Sequence, residues 1–352
     1  MRPSRRSSGS ATIQDVAREA GVSAMTVSRV VNDVRSVRET TRQRVLEAVQ
    51  RLNYSPNTAA RSLAAGEAAQ LGLLYSNPSA AYLSLFLVGA LEGARRAGCH
   101  IVLEACGSEL DGDQAQAAER LADTEVQGVV LPPPLSESPA VLDAIIKSGV
   151  PFVTVGGSRT VPGGLKARID DFAAAVAMTN YLLDFGHRRI GFIRGNLNQQ
   201  VSHERYEGFT HALRTRGIDV SEMAIAQGDF TYRSGLAAAE ELLSSNPPPT
   251  AIFASNDDMG AAAVNVAHRR GLLVPRDLSV VGFDDTAPAT TVWPELTTIR
   301  QPVSAIASAA LDLLLARIRA ERGGYDLPAG ERILDYELVV RESAGPAPRA
   351  SR

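Results

Sequence analysis

The chain has 352 residues, 45% of them hydrophobic, with a formal net charge of −3, 2 cysteines and 5 histidines. That length allows two or three domains with ample core, and no apolar run approaches the roughly 20 residues of a membrane span. The cysteines and histidines lack metal-ligand spacing, which removes the usual metal and disulfide scaffolds.

Charge is unevenly spread. Residues 1–66 hold 11 Arg, no Lys and 5 Asp/Glu, a balance of +6 against −9 for the remainder. A basic head on an acidic body suits a nucleic-acid reader fused to another module, although a charge run alone is also an ordinary solvated face. Residues 1–10 read as a disordered basic arm without the apolar segment of a signal peptide, so the expected location is cytoplasmic.

From Thr12 to Asn32 the sequence TIQDVAREAGVSAMTVSRVVN predicts two short helices across a glycine turn. Ile13, Val16, Ala17 and Ala20 share one helical face, with Thr12 as N-cap and Asp15 three positions on, close to a capping box. Gly21 supplies the turn, Ser23 opens the second helix, and Val22 can staple onto Val27. On that helix Val27, Val30 and Val31 turn inward, while Met25, Ser28, Arg29 and Asn32 form a polar outer face. The pattern predicts a helix-turn-helix whose second helix fits a DNA major groove; the plain alternative is a helical hairpin. A third helix over residues 40–53 supplies Val45, Ala48, Val49 and Leu52 to the same small core, with Arg42, Arg44 and Arg51 outside it.

Residues 57–64 (NTAARSLA) are too few for a free helix in water. The expectation is a segment that orders only against a second copy and DNA, with Leu63 as a minor-groove wedge; the alternative is a plain linker. From Gln70 onward strands and helices alternate: strands at 71–75, 100–104, 128–131 and 151–155, then at 189–194, 251–255 and 278–283. Helices are expected at 83–97, 113–123 and 139–148, then near 172–185, 203–216, 233–244 and 258–270. Two such series predict two parallel-sheet lobes with a ligand cleft beyond the strand ends. Cys99 and Cys106 flank a strand and read as small apolar residues of a reducing compartment. His187, in GHRR, is expected to close a helix. No Ser/His/Asp set, paired catalytic carboxylates or phosphate-binding glycine loop is visible, and the adjacent pairs Asp257-Asp258 and Asp284-Asp285 need not converge. The expectation is a binding protein with no enzymatic activity, cofactor or metal.

The stretches TIQDVAREAGVSAMTVSRVVN, LNYSPNTAARSLA, GHRRIGFI, RYEGF, SNDDMG, SVVGFDDT and ELTTIRQP resemble, in order, motifs of the LacI/GalR family of bacterial transcriptional repressors. The resemblance runs from Thr12 to about Arg341. It implies an α/β fold: a three-helix helix-turn-helix DNA-binding domain over 11–56 and a hinge helix over 57–67, followed by a body at 68–341. That body is two Rossmann-like lobes of the periplasmic-binding-protein type. Lobe 1 is expected over about 70–169 and 301–330, lobe 2 over about 170–300 and 331–341, with a disordered tail at 342–352. It further implies a homodimer on palindromic double-stranded operator DNA, switched by a small effector, a sugar by preference and a nucleobase as the alternative, with no membrane partner. Dimerisation is expected through residues 83–97 and the region after Leu110, and the Pro-rich end SAGPAPRASR, without heptads, favours a dimer over a tetramer.

Carried onto this sequence, base readout falls to Ala24, Met25 and Arg29, with Arg29 suited to guanine. Thr12, Ser23, Thr26, Ser28 and Asn32 take the phosphate backbone, and Asn57, Ala60 and Leu63 the minor groove at the hinge. The resemblance places Arg205, Asn256 and Asp284 in the effector cleft. Ser76, Asp170, Asp257 and Gln301 lie in equivalent neighbourhoods, and Phe230 and Trp293 are rings able to stack on a ligand. Turn chemistry and capping are the alternatives for Asn256 and Asp284, and an interlobe ion pair for Arg205. Tyr75 and Tyr82 are further candidates for narrowing specificity.

Overall fold

The computed structural model describes residues 13–31, 39–52, 69–106, 113–324 and 330–348, and divides the chain into Met1–Glu67 and Ala68–Arg352.

In the first unit, α1 (Ile13–Ala20), α2 (Ala24–Val31) and α3 (Glu39–Arg51) enclose Val16, Ala17, Ala20, Val27, Val30, Val45 and Ala48. These are the inward positions expected from helical spacing. Gly21 makes the turn at φ 66°, a conformation that penalises any residue with a Cβ. Ser23 caps α2, its Oγ accepting from the Thr26 amide at 3.2 Å. Val22 packs against the same core. Arg51 pairs with Glu19 at 3.3 Å, tying α3 to α1 on the surface. Thr12, Asn32, Asn57, Ala60 and Leu63, and the side chains of Ser28 and Arg29, lie outside the described residues.

The second unit is two six-stranded sheets. The first runs β11 (Glu331–Ile333), β5 (Leu165–Arg168), β4 (Phe152–Val155), β3 (Val129–Leu131), β1 (Gln70–Tyr75), β2 (His100–Ala105). The second runs β12 (Glu337–Val339), β10 (Thr297–Arg300), β9 (Ser279–Asp284), β8 (Ala251–Ala254), β6 (Ile190–Arg194), β7 (Ile225–Gln227). All pairs are parallel except β10 with β12. Fully buried strands such as β8 (AIFA) and β3 (VVL) carry the unbroken apolar runs of sheets covered on both faces. Helices α4 (Ala80–Ala97), α5 (Asp113–Asp123), α6 (Pro139–Ser148) and α12 (Val303–Gly323) belong to lobe 1. Helices α7 (Asp171–Asp184), α8 (Gln200–Thr215), α9 (Tyr232–Leu243), α10 (Asp257–Arg269) and the short α11 (Ala287–Thr291) belong to lobe 2. Gly89 lets α4 and α12 meet backbone to backbone: a Cβ there would stand 2.2 Å from the Ser304 carbonyl. Cys99 is buried and Cys106 half-buried beside β2, both as free thiols.

The chain passes between the lobes at 169–170, 301–302 and 334–336. The expected boundary at 330/331 is therefore corrected. Residues 331–333 still pair in the lobe 1 sheet, alongside β5, and only then does the chain cross to lobe 2. Strands β5, β7, β10, β11 and β12, three to four residues each, were not anticipated.

The disordered tail expected from 342 is also corrected. Ser343 is fully buried; its Oγ donates to the Val280 carbonyl at 2.5 Å and accepts from the Thr297 amide at 2.9 Å. The Ser343 carbonyl accepts from the Val280 amide, and the Ala347 amide donates to Phe185. His187 does not merely close a helix. Its buried ring joins Thr250 Oγ1 (2.9 Å), Ser279 Oγ (3.1 Å) and the Gly345 carbonyl (3.0 Å), clipping the tail to lobe 2. Burial holds the His187 pKa below its ordinary 6.5. The unfolded chain therefore takes up that proton first, and this contribution to stability is complete above about pH 6.5 and falls as pH drops below it. Thermal melts across this window should show His187→Gln with a shallower acid-side loss than wild type. Ser343→Ala, which strands the Thr297 amide, should cost about 1–3 kcal/mol by denaturant unfolding.

Candidate functional site

Between the lobes, beyond the carboxyl ends of the strands, lies a cleft walled from both sides. Lobe 1 contributes Asn77, Ser79 and Tyr82 after β1, and Pro133 after β3; lobe 2 contributes Arg205, Phe230, Asn256 and Asp284. Asp171 and Gln301, beside two of the crossing segments, close it.

At its centre is a buried cluster. Arg205, near the start of α8, donates through Nε to Asp171 Oδ1 (2.8 Å) and through Nη1 to the Ser255 carbonyl (2.5 Å), with Asp284 Oδ1 at 3.7 Å. Its guanidinium lies 3.7 Å from the centroid of the Phe283 ring and 5.9 Å from that of Phe230. Gln301 Nε2 donates to Asp284 Oδ1 at 2.6 Å. Burial pushes the Asp284 carboxyl up to about 7, against the downward pull of Arg205 and Gln301. Burial likewise raises Asp171, again opposed by Arg205. Asp257 is raised well above the ordinary carboxylate range by burial and by the neighbouring Asp284 charge.

Backbone geometry holds this cluster in place. Asp284 ends β9 at φ 112° and Phe230 precedes α9 at φ 71°, conformations that cost a non-glycine residue energy and concentrate at working sites. Asn256 caps α10, its Oδ1 accepting from the Met259 amide at 3.0 Å, while Nδ2 donates to the Phe230 carbonyl at 2.9 Å. One amide thus serves both as cap and as anchor for the loop that carries the ring. The Phe230 ring rests on Gly195, where a Cβ would fall 2.0 Å from it. The free space between the lobes is about 50 Å³, enough for a few waters, so a ring-sized ligand requires the lobes to part or Phe230 to swing.

Three further contacts hold the lobes together: Ser79 Oγ to Asp258 Oδ2 (2.6 Å), the Ser158 amide to Glu204 Oε1 (2.7 Å), and the Gln200 amide to Glu137 Oε2 (2.5 Å).

Arg205, Phe230, Asn256, Asp284 and Gln301 line this one cleft; four other candidates do not. Ser76 is absent from the cleft lining, and Ser79, the N-cap of α4, stands there instead. Asp170 is exposed and spends its side chain capping α7 through the Ala173 amide (2.9 Å), while the next residue, Asp171, faces inward. Asp257 is fully buried but turned away, bound by the Thr286 amide (2.7 Å), Thr286 Oγ1 (3.1 Å) and Thr298 Oγ1 (2.6 Å). Trp293 is 73% exposed in a surface groove beside Tyr232 and His268, because the turn between α11 and β10 lies on the outside of lobe 2. Helix-start arithmetic would have found Asp171: in DDFAAAV the first Asp is the cap, which leaves the second free.

In the first unit, Met25 is 66% exposed on the outer face of α2, Ala24 is half-buried against the core, and the Thr26 and Ser23 hydroxyls bond to each other at 2.9 Å.

Residues 12–57 match the bacterial regulatory proteins, lacI family, and residues 179–344 match the periplasmic binding protein-like domain. Catabolite control protein A of Priestia megaterium is 34% identical over 88% of this chain and 93% of its own length. The HTH-type transcriptional repressor PurR of Pectobacterium carotovorum is 36% identical over 89% and 92%. Among solved structures, the transcriptional regulator CelR–cellobiose complex aligns with a TM-score of 0.71 at 32% identity, covering 95% of this chain and 99% of that one. The lac repressor dimer bound to operator and the anti-inducer ONPF aligns at 0.69 and 28%, covering 96% and 100%. A helix-turn-helix head, a two-lobed body with a polar cleft and relatives matched over nearly their full length make one conclusion: this chain belongs to the LacI family and is a DNA-binding transcriptional repressor, not an enzyme.

Proposed function

We propose that the cleft binds a small sugar-like effector and that its occupancy sets operator affinity, so that the protein controls genes of carbohydrate use. The observation that carries this reading is the buried set Arg205, Asp171, Asp284, Asn256 and Gln301 at the junction of both lobes. Sugar hydroxyls donate to the carboxylates and accept from the guanidinium and amides, and Phe230 offers a face to the ring C–H side. The likeness to a cellobiose-bound regulator supports it. A nucleobase is the second reading: Tyr82 and Phe230 both line the cleft and suit a flat heterocycle, and relatives named PurR are equally similar.

On the DNA side, the proposed readers are Ala24, Met25 and Arg29. Thr12, Ser23, Thr26, Ser28 and Asn32 position the backbone, and Asn57, Ala60 and Leu63 enter the minor groove. The proposed assembly is a homodimer on a palindrome, in keeping with the lac repressor dimer it resembles. Leu85, Val88 and Leu91 make an exposed apolar row on α4, with Leu103 exposed on β2, which suits such a face.

Operator titration with a panel of sugars and nucleobases tests the switch. The expected result is an affinity change of about tenfold or more with one sugar, corresponding to about 1–3 kcal/mol of coupling. A response to nucleobases alone selects the second reading, and no response to either class refutes an effector of these kinds. Arg29→Ala should cost about 1–3 kcal/mol of operator discrimination in the same assay.

Asp284→Asn should abolish the effector response while leaving operator binding intact. Its stability should run the other way. A carboxyl whose folded pKa is raised contributes stability that is present below its ordinary 3.8 and lost as pH rises through about 7. Thermal melts should therefore show the variant gaining on wild type between these values.

A further inference from the structure

Lobe 1 carries a second cavity, about 220 Å³ against about 50 Å³ between the lobes. It lies between the 135–137 turn with the start of α6 on one side and the loop 156–162 on the other. Three polar side chains wall its interior, while Asp143, Arg159 and Thr160 stand exposed at its rim. Ser136 is 2% exposed, and among the described residues its Oγ has no hydrogen-bond partner; neither has Glu137 Oε1, which is also buried. Buried polar atoms are rarely left so. Lys166, buried as well, donates to the carbonyls of Gly157 (2.8 Å) and Arg159, leaving one of its three ammonium hydrogens uncommitted. Between rim and floor the wall is aliphatic, with Leu142, Ile146 and Val161, and among the described residues no aromatic ring lines the cavity.

We propose that this cavity binds a small zwitterion with an aliphatic body, of the aliphatic α-amino-acid class. The ammonium of such a ligand supplies the donor that Glu137 Oε1 and Ser136 Oγ lack. Its carboxylate meets the free hydrogen of Lys166, and its side chain covers Leu142, Ile146 and Val161. The pairing brings one charge of each sign to a buried wall that holds Glu137 and Lys166, with Asp143 and Arg159 balanced in solvent at the rim, so no unpaired charge is buried. A sugar would find no ring to stack on and would leave the aliphatic wall unmatched. The location also has a consequence for the lobes. Glu137 Oε2 already accepts from the Gln200 amide of lobe 2 at 2.5 Å, so a ligand that fixes this carboxylate reinforces a contact between the lobes. The proposal stands whether or not the cleft takes a sugar.

Titration calorimetry of the full chain with leucine and valine tests it, with 4-methylpentanoate, isoamylamine and glucose as controls. The expected result is one amino acid bound per chain, with each single-headed analogue weaker by about tenfold or more. Glu137→Gln should weaken binding by a similar factor. Ile146→Trp provides a check that does not touch the lobe contact, because Ile146 is 46% exposed at the cavity wall and a larger ring there obstructs entry. Absence of binding at millimolar amino acid overturns the proposal, as does binding indifferent to both substitutions. Binding that Asp284→Asn removes would place the amino acid in the cleft and overturn it equally.

Discussion

A single guanidinium buried among acids governs this body. Arg205 is almost fully enclosed, and an enclosed cation is tolerated only when paired. Its partners arrive from separate places: Asp171 at the first crossing and Asp284 at the end of β9, with Asp257 directly behind. Two buried carboxyls face one cation and the Asp257 charge bears on Asp284 from behind, so full ionisation of the set would leave uncompensated negative charge away from water. The arrangement is therefore poorly satisfied by itself and welcomes donors from outside. A hydroxyl-rich ligand would relieve the same imbalance that lowers stability in its absence, a trade of stability for binding seen wherever a site is built for something other than folding.

Because lobe 1 walls the cleft opposite this cluster and the cluster adjoins two of the three crossings, a ligand that touches both walls would bear on the angle between the lobes. The hydrogen bonds at Ser79–Asp258, Ser158–Glu204 and Glu137–Gln200 set the resistance to that motion. All three place an acid as acceptor on one side, and one engages the Gln200 amide in the first turn of a lobe 2 helix, where backbone amides are short of partners. Such contacts are strong enough to define a closed arrangement and few enough to be outweighed by a ligand. An effector needs only to bind one arrangement better than the other to shift the balance.

Helices α5 and α6 in the body could be read from spacing and composition to the residue, since amphipathic stripes and caps are local properties. Strands of three or four residues such as β7 and β11 could not, because they owe their state to a neighbour in the sheet and not to their own residues. The same division runs through the site. Arg205, Asn256 and Asp284, picked out by motif, line the cleft, whereas Asp170 and Asp171 are one position apart and chemically identical, so that only placing the helix start, which makes the first the cap, tells them apart. Trp293 shows the opposite failure: an aromatic residue near cleft motifs in sequence was carried outward by the turn before Pro294. The tail misled by composition. Its Pro, Ala and Gly suggest disorder, yet Ser343 and Gly345 find partners on β9 and at His187.

That tail bears on how the molecule is made. Among the described residues the small core of the first unit is complete by Leu52, and such a core can form while most of the polypeptide is still on the ribosome. The body has no such freedom. Its first sheet waits for residues 331–333 to cover β5, and its second waits for Ser343 and Gly345 to engage strands laid down dozens of residues earlier. A chain interrupted shortly before its end would therefore carry a finished DNA reader on an unfinished controller.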